Sequence, residues 1–557
     1  MPQYSNRFNN RDIGISLDAK SIDSHNDQCQ ITSMNTEITN LSNAGRQAAA
    51  RQDWETVHLC AAGILNRAGQ DPEGYFLLGL VEKAAQKPKK AIDAFEAVLR
   101  MDAKRYDAAV ELASQYSMGR RNAEVAALLG RYEGSLANSP RYLDMAATVY
   151  TEVGLPEKAW PLYQKAYELQ PEISLFQANL AACAVYVGEI DTARKVYKEL
   201  LSNNPTHQRN HYQFARLARA TDSQHIEQME QVLRETDLPP DRNIFLYYAL
   251  GKEYEDLQEW GKAFEYFKRG GDAATSVANY DIDDDIAIID TAIEVCNTEW
   301  LQRGSVPQPA ENTPLFIVGL PRTGTTLTER IIASHSKVQS VGETEFVQMV
   351  LRRESKVQAL DKMAPAMIKS VADKDISLIT TGYMNAIRYR LNEEPIFIDK
   401  LPFNINYLGF IAKAWPDKPI VLMQRNPMDA CFSMYKQVFT WAYKFSYSLE
   451  NLARYYVAYD RLCQHWRELL GDRLVEVQYE ELVADQEAQT RQLLDRLGLQ
   501  FEQACLDFEK NVAPTATASS VQVREKMHTG SVDRWRHYEK QLQPLVNQLE
   551  DAGISLG

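Results

Sequence analysis

The 557-residue sequence predicts a multidomain chain, an all-α repeat solenoid followed by a three-layer α/β domain with a mainly parallel sheet. Three observations carry this. Alanine–aromatic pairs recur between residues 91 and 267 at spacings close to multiples of 34 residues. After residue 314 short apolar runs alternate with helical patterns, as strands and crossover helices do in a parallel sheet. The first of those runs ends in a glycine-bearing loop that turns straight into a helix. So long a chain exceeds a single core and calls for two or more domains.

In chain order, residues 1 to 42 are rich in Asn, Ser, Asp and Thr with few large apolar side chains, and are expected to be a disordered tail. Residues 43–300 read as helical throughout. The pairs Ala91/Phe95, Ala159/Tyr163, Ala193/Tyr197 and Ala263/Phe267 have alanines 68, 34 and 70 residues apart. A small alanine lets two helices approach, and the aromatic one turn later fills the space beside it on the same face. Pro72, Pro140, Pro171 and Pro205 keep a similar spacing and are each expected to open a helix, where a missing N–H does no harm. The pattern resembles tetratricopeptide repeats, whose stacked hairpins form a concave groove suited to a peptide or protein partner. The acidic run Asp281–Asp285 reads as a solvated stretch that could also attract a basic partner peptide, and a helix through Ile286 to Trp300 is expected to cap the solenoid. Residues 301–313, with Pro307, Pro309 and Pro314 in and beside them, are expected to be a linker, and 314–557 the α/β domain.

In that domain the expected strands are Leu315–Val318, Pro395–Ile398, Pro419–Met423 and Leu474–Gln478. Ligands of such sheets gather at the carboxyl ends of the strands. The first strand is followed by Gly319-Leu-Pro-Arg-Thr-Gly-Thr-Thr326. Gly319 and Gly324 match the first part of G-x-x-x-x-G-K-[ST], with Thr325 in the lysine's place. A loop that becomes a helix N-terminus offers unpaired N–H groups and the positive end of the helix dipole to a phosphate or sulfate. Arg322 is the nearest replacement for the missing lysine. The second strand ends at Asp399-Lys400 and the third at Gln424-Arg425-Asn-Pro427. Three strand ends thus each bring a cation, which points to a polyanionic ligand. Arg425 offers a fork to a phosphate, and Ser433 lies two helical turns beyond it. Asp399 could instead be the magnesium carboxylate of an NTPase; the absent lysine and the adjacent Lys400 stand against that.

The net charge of −14 argues against general nucleic-acid binding. Seven scattered cysteines with no C-x-x-C pair argue against a disulfide framework and a zinc site. No metal is expected. With no apolar signal core and no long apolar run, the expectation is a cytoplasmic protein without membrane contact.

Together Pro321-Arg-Thr-Gly-Thr-Thr-Leu327, Gly342-Glu-Thr344, Asp399-Lys-Leu-Pro-Phe403 and Arg425-Asn-Pro-Met-Asp-Ala-Cys-Phe-Ser433 resemble sulfotransferases that use 3′-phosphoadenosine 5′-phosphosulfate (PAPS), in particular tyrosylprotein sulfotransferases. The resemblance covers about residues 312 to 545. It implies that Arg322, Thr323, Gly324, Thr325 and Thr326 hold the 5′-phosphosulfate and that Arg425 and Ser433 hold the 3′-phosphate. It places Glu343 where those enzymes carry their base, and through Ser519-Ser520-Val-Gln-Val and Ser531-Val-Asp-Arg534-Trp it suggests Ser520 and Arg534 as further contacts. Glu525 stands where the animal enzymes have lysine, and Glu345 where they have an arginine that meets an acidic peptide. Sulfuryl transfer needs charge neutralised on the bridging oxygen, for which Lys400 and Arg322 serve without a metal, and a base for the acceptor hydroxyl, for which Glu343 serves. His335 is expected to be structural. The expected activity is therefore sulfuryl transfer from PAPS to an acceptor hydroxyl, a protein tyrosine among the candidates, with the repeats recruiting acceptor or partner. A P-loop kinase or NTPase and a repeat scaffold with a non-catalytic nucleotide domain remain the alternatives.

Overall fold

A computed structural model describes residues 27–136, 138–304, 312–357, 363–439 and 442–556, with side chains from Met34 onward. The chain divides into two compact units, Met1–Gln115 and Tyr116–Gly557.

The first unit is built from helices Asp27–Ala50, Trp54–Arg67, Pro72–Ala84 and Pro88–Met101 and the beginning of Tyr106–Met118. Asp53 and Asp71 cap their helices by accepting from Thr56 N at 3.2 Å and Glu73 N at 2.8 Å. Ala48, Val57, Ile64, Phe76, Leu77, Phe95 and Val98 are buried between the helices. The tail expected over residues 1 to 42 needs correction from residue 27 onward, where the chain is helical; residues 1–26 lie outside the described residues. A polar sequence can hold this helix because a few positions dock. Glu37 pairs with Arg67 at 2.8 Å, Ser42 donates to Glu73 at 3.0 Å, and Ala48 is fully buried.

The second unit holds both the remaining repeats and the α/β fold. Its repeat hairpins pair Pro140–Glu152 with Pro156–Leu169, Ser174–Val187 with Ile190–Asn203, and Ile244–Asp256 with Trp260–Val277. Every expected alanine–aromatic pair, in both units, is at most 4% exposed. Pro72 and Pro140 do open helices. Pro171 and Pro205 instead lie in the turns before Ser174–Val187 and Gln208–Ala215.

The sheet has five parallel strands, β1 Thr313–Gly319, β2 Val338–Ser340, β3 Ile396–Lys400, β4 Ile420–Gln424 and β5 Leu474–Gln478, in the order β2-β3-β1-β4-β5. Strand β2 was not expected: three residues on a sheet edge carry too little apolar pattern to declare themselves. The middle of the expected linker, residues 305–311, lies outside the described residues. One sheet face packs Ile317, Ile398, Val421 and Met423 against Ile331, Ile332, Leu482 and Leu494. The other packs Phe316, Phe397 and Leu422 into a core continuous with repeat residues Leu246, Tyr248, Phe267 and Ile289. The α/β fold and the repeat helices that precede it thus share one apolar interior. Among the described residues no helix is long and apolar enough to cross a membrane.

Candidate functional site

Parallel registration brings the reactive strand ends together. Ile317 pairs with Lys400 and Gly319 with Met423, so the loop after β1 emerges between Lys400 and the Arg425 that follows β4. Gly324 is the N-cap of helix Thr325–Ile332 at φ 101°, and a Cβ there would lie 2.7 Å from the Tyr479 ring. Only glycine suits that position. No side chain caps this helix, so its first N–H groups face outward for an anion. Arg322 is held at φ 70°, an uncommon conformation for a residue with a side chain.

Arg322, Gly324, Thr325, Thr326, Glu343, Arg425, Ser433, Ser520 and Arg534 all line one cavity of about 800 Å³. Arg322 donates to Ser519 Oγ and, at 3.0 Å, to Gln522 Oε1, while its Nε is buried without a partner. Burial, with the Arg216 and Arg425 guanidiniums nearby, lowers its pKa to about 10. Arg425 donates to the carbonyls of Arg322 at 2.8 Å and Ser531 at 2.6 Å, lies 4.6 Å from the Tyr479 ring, and also keeps an unpartnered Nε. Arg534 lies 3.4 Å from Glu255, a repeat residue that also takes Lys436 at 2.7 Å and the Tyr538 hydroxyl at 2.9 Å. Burial opposes the charge on Glu255, but Lys436 and Arg534 prevail and hold it below the usual carboxylate range.

Two of the expected residues use their hydroxyls within their own segments. The Thr323 hydroxyl donates to Leu320 O at 2.7 Å, and its side chain is buried in the loop. The Ser520 hydroxyl donates to Thr515 O at 2.6 Å and accepts from Thr517 N at 3.0 Å, bracing its own segment. Thr326 Oγ1 is 3.4 Å from Thr517 Oγ1 in that same segment.

Lys400 is fully buried and does not line the cavity. Its Nζ lies 2.5 Å from Glu343 Oε1 and 3.4 Å from Glu329 Oε2, and Glu329 accepts from Ser340 Oγ at 2.5 Å. Burial alone would lower the lysine, but the two carboxylates raise it above its ordinary value. Glu343 is about a third exposed and opens onto the cavity, so it connects the buried cation to the open space. Asp399 points to the opposite sheet face, where it accepts from Thr344 at 2.5 Å and Tyr383 at 2.8 Å; burial pushes its carboxyl up to about 7. It is not where a magnesium-bound nucleotide in this cavity could use it. His335 is buried with Nε2 3.0 Å from Gln500 O, away from the cavity lining. Among the described residues no group of three potential metal ligands occurs.

Several lining residues have no sequence motif. Arg216, Arg219, Lys252 and Glu255 come from the repeats, and Lys436 follows helix Pro427–Tyr435. Only folding brings them to the loop. Repeat residues also hold the segment after 513. Tyr186 O accepts from Thr515 N at 2.8 Å and from Arg524 at 3.0 Å, and the Arg524 guanidinium lies over Gly188.

Residues 314–503 match the Sulfotransferase family. An uncharacterised protein of Aquifex aeolicus (strain VF5) is 27% identical over 420 residues, 74% of this chain and 55% of its own length. Protein-tyrosine sulfotransferase 1 of Danio rerio is 24% identical over 208 residues, 37% of this chain and 58% of its own. This chain therefore spans little more than half the length of the relatives it matches. The sulfotransferase domain of the Synechococcus PCC 7002 olefin synthase aligns with 46% of this chain and 100% of its own at 18% identity, with a TM-score of 0.32.

Proposed function

We propose that the protein transfers a sulfuryl group from PAPS to an acceptor hydroxyl, with a protein tyrosine as acceptor and the repeats as the recruiting surface. The observation that carries this is the convergence, in one cavity, of a helix N-terminus, Arg322, Arg425, Arg534 and Glu343. A donor with anionic groups at its 3′ and 5′ positions matches cations at separate strand ends, and the unpartnered Nε groups of Arg322 and Arg425 fit such a ligand. The family match and the relatives' names support the reading. Six buried, unpaired cysteines support a cytoplasmic setting.

In the step itself an acceptor oxygen attacks sulfur, the bond from sulfur to the bridging phosphate oxygen breaks, and adenosine 3′,5′-bisphosphate leaves. Glu343 takes the acceptor's proton. Lys400, kept charged by its two carboxylates, and Arg322 neutralise the charge that grows on the bridging oxygen. The pairing of Lys400 with Glu343 gives way as the ammonium turns to the donor, leaving Glu329 to hold the lysine.

Calorimetry separates this from an NTPase. Adenosine 3′,5′-bisphosphate should bind more tightly than ATP with magnesium; tighter, magnesium-dependent ATP binding would sink the assignment. Replacing Lys400 or Arg322 by alanine should cost about 2.7–4 kcal/mol of transition-state stabilisation, read from kcat/KM. Glu343→Gln should lower kcat by roughly 10²–10⁴ with donor affinity kept.

A further inference from the structure

The repeats do more than border the site. Helix Gln208–Ala215 ends at Arg216, whose guanidinium lies 5.2 Å from the Tyr212 ring and donates to Ala518 O at 2.9 Å. Ala518 precedes Ser519, the residue that accepts from Arg322. Arg216 and Arg322 therefore meet at adjacent residues of one segment, and both line the cavity.

The mount of Arg216 is rigid. Tyr212 OH accepts from Gln437 at 2.8 Å and from Val438 N at 3.3 Å, just beyond the helix that carries Ser433. The chain after Arg216 is tied to the next hairpin, where Lys252 donates to Ala218 O and Asp256 accepts from Ala220 N at 2.8 Å. So much anchoring holds a cation where two others already stand.

The charges do not balance locally. Among the described residues neither Arg216 nor Arg322 has a carboxylate within ion-pair distance, and Arg425 has only Asp429, at 3.9 Å. Glu255 is occupied by Lys436 and Arg534. With Asp429, among the described residues, as the one carboxylate at ion-pair distance from the three, the Arg216 and Arg425 guanidiniums repel that of Arg322 until an anion arrives. Burial first, and then the nearby Arg216 and Arg425 guanidiniums, lower the proton affinity of Arg322.

We infer that Arg216, supplied by the repeat region, is a donor-binding residue that acts with Arg322 on the 5′-phosphosulfate end. This rests on the PAPS reading above. It makes the active site composite, with the repeats contributing a ligand-binding side chain as well as a recruiting surface.

The test uses the full chain and two nucleotides, adenosine 3′,5′-bisphosphate and adenosine 3′-monophosphate, by calorimetry, with melting curves recorded without nucleotide. Arg216→Gln should weaken the bisphosphate about tenfold or more, as the loss of a charged hydrogen bond does, and leave the monophosphate nearly unchanged. Arg216→Lys should recover part of the loss. Without nucleotide, the glutamine variant should melt close to the parent, since the lost hydrogen bond to Ala518 O is offset by the removal of a repelling charge. Equal weakening of both nucleotides or weakening of neither would reduce Arg216 to a structural strap and overturn the inference. A parent chain that binds neither nucleotide would instead overturn the PAPS reading itself.

Discussion

Two hairpins of this chain, Pro72–Ala84 with Pro88–Met101 and Ile244–Asp256 with Trp260–Val277, are built to one plan. Phe76 and Phe95 sit 6.0 Å apart and tilted; Tyr248 and Phe267, each 172 residues later, sit 6.1 Å apart and tilted. A Cβ on Gly79 would lie 2.5 Å from Phe95, and one on Gly251 2.6 Å from Phe267. The same small residue against the same large one fixes how closely the two helices approach. What differs is the outer face. Lys83, Ile92 and Leu99 of the first hairpin become Glu255, Phe264 and Gly271 in the second. Glu255 grips Lys436 and Arg534, Phe264 packs among Phe432, Tyr435 and Tyr538, and a Cβ on Gly271 would lie 2.6 Å from Tyr447 O. Three outward positions set a repeat hairpin against the α/β fold.

The largest test of that comparison is to empty both interiors. Phe95→Ala and Phe267→Ala should each cost about 3–5 kcal/mol of stability in chemical denaturation. Only Phe267→Ala should also lower turnover under native conditions, and equal turnover in the two variants would break the contrast.

A smaller effect isolates Glu255. Changing it to glutamine leaves Lys436 and Arg534 without their carboxylate and should cost about 2–3 kcal/mol at neutral pH. Because the folded pKa is depressed, the charged form contributes its full stability above the ordinary glutamate range of about 4.3, and that contribution fades as pH falls through the folded value. The melting difference between parent and variant should therefore shrink in acid; a gap that widened there would refute the charge assignment.

The smallest effect belongs to Arg120 and Glu345, paired at 3.0 Å with side chains 61% and 63% exposed. Arg120→Ala should change stability by no more than about 1 kcal/mol, less in high salt, by the same denaturation assay.

Much of this was legible because it is local. An alanine and an aromatic four residues apart share a helix face, so the repeats announced themselves in sequence, as did the loop around Gly324 and the cations at the strand ends. What escaped depends on contacts distant in sequence. The helix from Asp27 is polar and held by docking, and β2 is three residues of edge strand. Glu329 reads as an ordinary helix glutamate until β3 brings Lys400 beside it. Motif position points to Thr323 and Ser520 as residues that hold the nucleotide, but it does not show that their hydroxyls bond within their own segments. Arg216 lies 106 residues before Arg322 and has no motif of its own.

Gly188 shows what such shared construction asks of a chain. It ends helix Ser174–Val187 in the left-handed conformation, at φ 92°, and a Cβ there would lie 2.4 Å from the Arg524 guanidinium that Tyr186 holds. One requirement comes from ending a repeat helix and the other from seating a segment more than 300 residues away. A side chain there would strain the backbone and push the Arg524 guanidinium aside. Position 188 thus has less freedom to vary than either role alone would leave it, and the repeat cannot drift in sequence there without disturbing the cavity's own wall.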